Sequence, residues 1–310
     1  MNARKVLLAA LGLALPVASL TACGSDATTS AGTAEVDKSI HSALPKKIRD
    51  AGTMTIVMNG SNLPWWKSTP GREGAYEGAG AELMQAVADT MGVKVKYVAI
   101  PDISGAVASI ASERYAFAFA PYGDSVGKPD GRPGVEFVDV VNEVVPFLVQ
   151  KGNPKSVKSL DSVCDIKLAA QVNGGAYERA EEQAAKCKAK GKILEIVGVN
   201  SVPNGVLAVR SRRADAFFSS GAALYYAEKQ SKGKLEVVGA DSPNGFEGLF
   251  QGAVLPKDSA LTEPLLRSFQ KLFDDGTYEQ IMKKWEMEEE IIDKPGVNLY
   301  SQWLAEQEKK

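Results

Sequence analysis

The sequence predicts an α/β protein of two lobes, each a parallel sheet covered by helices. Three observations carry this. Short apolar β-rich runs alternate with runs of helical period. The alternation breaks at Lys151-Gly152-Asn153-Pro154 and then restarts, so the same pattern is laid down twice. The chain has 310 residues, 45% hydrophobic and 24% charged, the size and balance of two ordinary soluble domains.

Taken in order, residues 53–58 read as a buried strand. Residues 80–91 read as a helix, with Leu83, Val87 and Met91 on one face and Gly92 as its stop. Residues 93–100 form the next strand, ended by Pro101. Residues 103–111 read as helix and 115–119 as strand. Residues 123–134, dense in Gly, Pro, Asp and Ser, read as a loop, and 142–150 as one strand. After the break come a strand at 166–171, a helix at 176–188 and a strand at 193–199. A helix at 202–211, a strand at 214–218, a helix at 222–229 and a strand at 235–238 complete the second, smaller lobe. Residues 250–255 form another strand, followed by a helix over 259–274. A last helix starts at Thr277, where Thr277-Tyr278-Glu279-Gln280 matches a capping box.

The N-terminus has a different character. Arg4 and Lys5 precede an apolar run from Val6 to Ala18, shorter than the roughly 20 residues of a spanning helix. This is the pattern of a signal peptide, here 1–22. It closes on Leu20-Thr21-Ala22-Cys23, which resembles the bacterial lipobox, whose cysteine is lipidated and becomes the first mature residue. The following residues, rich in Ser, Thr, Ala and Gly, have almost no large apolar side chain, so 23–45 reads as the lipidated Cys and a flexible tether. The expected place is extracytoplasmic, anchored to the cell membrane by the lipid on Cys23. No later apolar run is long enough to span a membrane. The net charge of −2, without a basic block, gives nucleic acid no purchase.

Cys164 and Cys187 remain as an even pair in an oxidising compartment. They flank the strand at 166–171 and the helix after it, and a bridge would staple the two. Free buried thiols and a metal site are the alternatives. The only histidine, His41, lies in the N-terminal region, and no metal or cofactor is implied.

Several segments carry a resemblance to a known family. They are Ala51-Gly52-Thr53-Met54-Thr55-Ile56-Val57, Tyr76-Glu77-Gly78-Ala79-Gly80-Ala81-Glu82-Leu83 and Arg132-Pro133-Gly134-Val135-Glu136-Phe137. Further along are Leu160-Asp161-Ser162-Val163-Cys164, Gly174-Gly175-Ala176-Tyr177-Glu178, Gly252-Ala253-Val254-Leu255-Pro256-Lys257 with Leu261, Asp275-Gly276-Thr277-Tyr278 and Lys283-Lys284-Trp285. In order and spacing they resemble the family 3 extracellular solute-binding proteins, of the type II periplasmic binding protein fold, which feed ABC importers. The resemblance covers residues 46–287. It implies two Rossmann-like lobes with two hinge crossovers: lobe 1 from 46–149 plus 250–287, lobe 2 from 150–249, and a C-terminal extension at 288–310. Ligands then bind between the lobes, at the carboxyl ends of strands, and the lobes close by hinge motion.

The resemblance also implies site residues. Arg132 matches the family arginine that grips a ligand carboxylate, a role that suits the planar donor fork of guanidinium. Pro129 stands where the family has a helping Thr. Asp124 and Ser125 lie in the same loop. Trp65 and Trp66, in a Gly/Pro/Ser loop, offer an aromatic wall and are not expected both to be core. Gly174 and Gly175 sit where a strand turns into a helix and offer backbone N–H groups to an anion. Ser220 stands where amino-acid binders of the family hold the ligand ammonium with an Asp. Either another acid, Asp124 or Glu247, serves there, or the ligand carries no ammonium at that place.

The function that follows is a monomeric, lipid-anchored substrate-binding subunit of an ABC transporter, of the polar amino-acid type. It captures a small polar solute, an amino acid or related carboxylate, and delivers it to a membrane permease. A ligand-binding sensory module and a dehydratase-like enzyme on the same fold are the alternatives. No Ser/His/Asp or metal-ligand constellation favours catalysis.

Overall fold

Two sheets of matching strand order carry the fold. The computed structural model describes residues 36–60, 62–100, 103–124, 133–172 and 174–309. Cys23, Ser125 and Arg132, with the signal segment and Pro129, lie outside the described residues. The chain enters through helices α1 (Lys38–Ala43) and α2 (Lys46–Ala51), then β1 (Thr53–Met58), the short antiparallel pair β2 (Lys67–Ser68) and β3 (Tyr76–Glu77), and α3 (Ala79–Met91). Next come β4 (Lys94–Ala99), α4 (Ile103–Ala111), β5 (Phe117–Gly123) and β6 (Val135–Asn142). The second lobe holds β7 (Phe147–Gln150), β8 (Lys167–Gln171), α5 (Gly175–Ala189), β9 (Glu195–Val199), α6 (Val202–Arg210), β10 (Ala216–Phe218), α7 (Gly221–Gln230) and β11 (Leu235–Val238). The chain returns through β12 (Phe250–Pro256), α8 (Thr262–Asp274), α9 (Thr277–Lys284), β13 (Ile291–Val297) and α10 (Leu299–Gln307).

The first sheet runs β13-β6-β12-β5-β1-β4 and the second β11-β7-β10-β8-β9. In each, a parallel set (β5, β1, β4; β10, β8, β9) is flanked by one antiparallel strand, β12 or β7. That odd strand is the one reached by crossing from the other lobe. The second sheet is covered on both faces, and its strands show why. Phe147, Val149, Leu168 and Phe218 point to one face, with Ala180 and Cys187 of α5. Leu148, Ala169 and Phe217 point to the other, with Val209 of α6 and Leu224 of α7. Successive side chains alternate sides, so a strand apolar at every position must be buried on both.

Four sequence expectations are corrected. Residues 142–150 are not one strand: β6 already pairs from Val135, and 143–146 carry the chain to the second sheet before β7 begins. Pro146 lacks the N–H a ladder would need there. The stretch 23–45 is not tether to its end. Asp37 accepts from the N–H groups of Ser39 and Ile40 and caps α1, and Ile40 and Leu44 are buried in the lobe 1 core. A His41 ring nitrogen lies 2.8 Å from the Met91 carbonyl oxygen. Thr277 does not cap α9, which is followed by α10 and so is not the last helix. Gly276, at φ 79°, takes the cap position, and the Thr277 N–H donates to Asp275 Oδ1 at 2.9 Å.

The fourth concerns the tryptophans. Trp65 and Trp66 are both core, 2% and 0% exposed. Trp66 stands edge-on to Tyr76, Tyr97 and Phe119. Its ring lies over Gly80, where an added Cβ would come within 2.6 Å of it. The small residues that open α3 are what admit the indole.

Cys164 and Cys187 are bridged, with Cα atoms 5.6 Å apart. The bond ties the entry to β8 to the end of α5, across 23 residues of sequence. Closing such a loop stabilises by about 3 kcal/mol in the chain-entropy picture. Replacing both cysteines by serine is expected to lower the unfolding free energy by about that amount, measured from the denaturant midpoint. Thiol titration of the unfolded, unreduced native chain should find neither cysteine reactive.

Candidate functional site

The carboxyl ends of the parallel strands in both lobes open on a common cavity of about 900 Å³. Asn59, Asn62 and Leu63 reach it just after β1. Gln171 ends β8, Asn200 and Ser201 follow β9, and Ser219 and Ser220 follow β10. This is where an open α/β sheet leaves a crevice, because the loops diverge from the last strand residues. Amides and hydroxyls dominate this part of the wall. They can donate and accept but carry no fixed charge, so they set hydrogen-bond pattern rather than net charge. An apolar flank from Val202, Val206 and Leu207 of α6 and Tyr226 of α7 continues the cavity along lobe 2. Asn59 Oδ1 is buried without a hydrogen-bond partner among the described residues, an acceptor at the cavity edge.

Ser220 therefore lines the cavity, as the position after β10 should. It stands at the start of α7, where its hydroxyl makes no capping bond to the helix. It donates to Glu143 instead. Gly174 and Gly175 lie at the start of α5, next to the turn after Gln171, but outside the cavity lining. A Cβ at Gly175 would meet the Phe246 ring at 3.2 Å, so close packing with that ring is one local reason for glycine there. Glu247 is exposed.

Asp124, read from the sequence as a ligand-loop acid, is committed elsewhere. It is 2% exposed, and its Oδ2 accepts the Tyr300 N–H at 2.9 Å. Asp139 Oδ2 accepts the neighbouring Leu299 N–H, also at 2.9 Å. Two buried carboxyls thus receive the first N–H groups of α10, where the helix dipole favours negative charge. Burial, then the Asp124 charge beside it, pushes the Asp139 carboxyl well above the usual range. Trp303 on the same helix packs against Gly248, where a Cβ would come within 2.8 Å of the ring. Gly248 belongs to the return crossing, so α10 rests on the hinge side of lobe 1.

The resemblance put the hinge strands near 145–150 and 250–254, but the polar residues that fasten the two crossings were not found from the sequence. Glu143 begins the first crossing, and its N–H donates to Leu249 on the second at 2.8 Å. Its side chain accepts from Gln251 Nε2 of β12 and from Ser220. Glu290, in the single 3-10 turn Glu288–Glu290, accepts the Ala222 N–H of α7 at 2.6 Å. The available signal was polar residues set among apolar strand residues: Asn142-Glu143 before Val144-Val145, and Gln251 inside β12.

Comparison with known proteins places these features in a family setting. The profile of the bacterial extracellular solute-binding proteins, family 3, matches residues 54–288. The arginine-binding protein ArgT of Corynebacterium glutamicum is 24% identical over 265 residues, 84% of this chain and 82% of ArgT. An ancestral cationic amino acid solute-binding protein of known structure superposes with a TM-score of 0.64 at 22% identity, over 77% of this chain and 98% of its own. An amino acid ABC transporter substrate-binding protein of Streptococcus pneumoniae, solved with L-arginine, superposes with a TM-score of 0.61 at 16% identity, over 79% and 99%. The structural likenesses speak for the fold.

The corrected place of Trp66 has a measurable consequence. Trp66→Ala should cost about 3–5 kcal/mol of stability, as a large core truncation does. A side chain that met only a ligand would leave stability within about 0.5 kcal/mol. Urea unfolding of the ligand-free variant separates the two.

Proposed function

The chain belongs to the bacterial extracellular solute-binding proteins, family 3, and from that premise we propose that it is the extracytoplasmic, lipid-anchored substrate-binding subunit of an ABC importer. The observation that carries the reading is the cavity lined from the strand ends of two lobes joined by two crossings. A solute in that crevice touches both lobes at once. Its binding energy can then favour the closed form over the open one, which is what hinge capture requires. The solute class that fits is a small polar molecule, an amino acid or related carboxylate. ArgT and the S. pneumoniae protein, described as binding arginine, support an amino-acid-type ligand. The amide and hydroxyl wall supports hydrogen-bonded recognition of a polar solute. The relatives compared are binding proteins, which supports capture and delivery to a permease rather than catalysis.

Arg132 is proposed as the carboxylate-gripping residue, on its match to the family's Arg-x-x-Val-x-Phe pattern. Gly174 and Gly175 are proposed to offer main-chain N–H groups near the same crevice, and Ser125 to share the Arg132 loop. Lipidation at Cys23 is proposed from the lipobox resemblance. A thermal-shift screen against amino acids, amines, opines and small carboxylates identifies the ligand, since binding to the native state alone raises the melting temperature by mass action. A screen in which none of these solutes shifts the transition would overturn the solute class.

With the ligand in hand, Arg132→Ala should weaken binding by about 2–5 kcal/mol, the cost of breaking a desolvated charge pair. Arg132→Lys should recover only part, because ammonium cannot reproduce the bidentate fork. Calorimetry on folded variants reads both. Cys23→Ala should move the protein from the membrane fraction to the medium or periplasm, because without the lipid no other apolar segment remains to anchor it. Fractionation followed by immunoblotting checks this.

A further inference from the structure

Glu143 and Glu290 bring together both crossings, lobe 1 and the cavity wall of lobe 2. Glu143 stands on the first crossing and holds Gln251 of the second. It also holds Ser220, which lines the cavity. Glu290 comes from the lobe 1 segment after α9 and holds the Ala222 N–H in the first turn of α7. Gly221, between them, donates its N–H to Val144 on the first crossing at 2.8 Å. The start of α7 is therefore fastened to the hinge by three successive residues.

The two carboxyls are 8% and 1% exposed. Glu143 Oε1 and Glu290 Oε2 have no hydrogen-bond partner among the described residues. The groups facing them are weak compensation. Tyr278 of α9, buried, and Tyr225 of α7, half-buried, are raised first by burial and then by nearby carboxylates that include Glu290. Glu228 and Glu289 add negative charge on the Tyr225 side. Lys229, the nearby cation of α7, is paired with Glu286. Two neighbouring carboxylates in such a place cannot both ionise cheaply. A single negative charge shared between them is favoured by the α7 N-terminus, and a second is not.

We propose that Glu143 and Glu290 are positioning residues for solute capture: while one of the two is protonated they hold Ser220 and the first turn of α7 against both interlobe crossings, and loss of that proton loosens this part of the cavity wall. The direction with pH follows from the sign of the shift. Burial pushes the Glu143 carboxyl up to about 7, against hydrogen bonds from Ser220 and Gln251 that oppose it. Burial and the Glu143 charge push Glu290 well above its ordinary value. A folded state that keeps its proton above the unfolded value is most stable below that value and loses the advantage as pH rises through the folded one. The hold on α7 is thus greatest below the ordinary carboxyl value of 4.5, falls as pH rises toward about 7, and levels off above it.

Backbone hydrogen exchange on the full chain, corrected for intrinsic rates, tests this without a ligand. Protection of the Ala222–Leu224 amides should fall about tenfold between pH 6 and pH 8, since opening gains about a factor of ten per pH unit up to the held value near 7. Glu143→Gln and Glu290→Gln keep the shape of the side chain and should give flat profiles. Calorimetry with L-arginine as probe should show a parallel rise in Kd for the native chain and none for the variants. Flat protection in the native chain, or the same fall in both Gln variants, overturns the inference. Restoration of protection at pH 8 by millimolar calcium overturns it too, since a cation rather than a proton would then hold the pair. The capture half rests on the solute-binding reading. The exchange arm needs no ligand and decides the hinge half even where that reading fails.

Discussion

The two crossings between the sheets are the constraint on which the rest of the structure depends. Each lobe completes its sheet with a strand that arrives from the other: β7 enters the second sheet antiparallel to β10, and β12 enters the first antiparallel to β5. Neither sheet is finished until the chain has crossed. The crossings also fix where the parallel strands end relative to one another, and so where the crevice lies. Gly252 shows how tight this is. It sits at a register shift in β12, and a Cβ there would come within 1.9 Å of the Val138 carbonyl oxygen. Only a residue without a side chain lets the return strand bend into the sheet at that point.

Packing in lobe 1 follows an exchange of volume between neighbours. The loop after β1 carries two indoles, and the helix that follows it opens on Gly78, Ala79, Gly80 and Ala81. Gly80 lies where Trp66 needs room. Large side chains in the loop and small ones on the helix are one packing solution. The aromatic loop is thereby locked down, and Asn59, Asn62 and Leu63 beside it face the crevice in its place.

The C-terminal segment, outside the resemblance for most of its length, fastens the molecule at two acidic points. Asp124 and Asp139 receive the start of α10, and Glu290, beside Glu143, receives the start of α7. At the first point both buried carboxyls face helix N–H groups, and at the second Glu290 faces one while Glu143 faces side-chain donors. Such pairs hold their geometry only while a proton or a helix terminus offsets the second charge. β13 adds to the edge of the first sheet beside β6, so the segment links the sheet edge, the hinge side of lobe 1 and a cavity helix of lobe 2.

The sequence by itself determined the repeated α/β pattern, the bounds of most strands and helices, and the pairing partners Cys164 and Cys187. These depend on local periodicity and on a small count of cysteines, which one chain displays directly. It also pointed to Ser220, through the resemblance, which implies a ligand-facing position after that strand. Only the tertiary structure decided that Trp65 and Trp66 are core, since burial depended on the size of residues more than ten positions away. Only it decided that Asp124 belongs to α10, whose residues lie over 170 positions later. The place of Glu143, Gln251 and Glu290 is of the same kind. Each is an isolated polar residue in its own segment, and becomes a cluster only when two crossings and the returning C-terminal segment bring their backbones together.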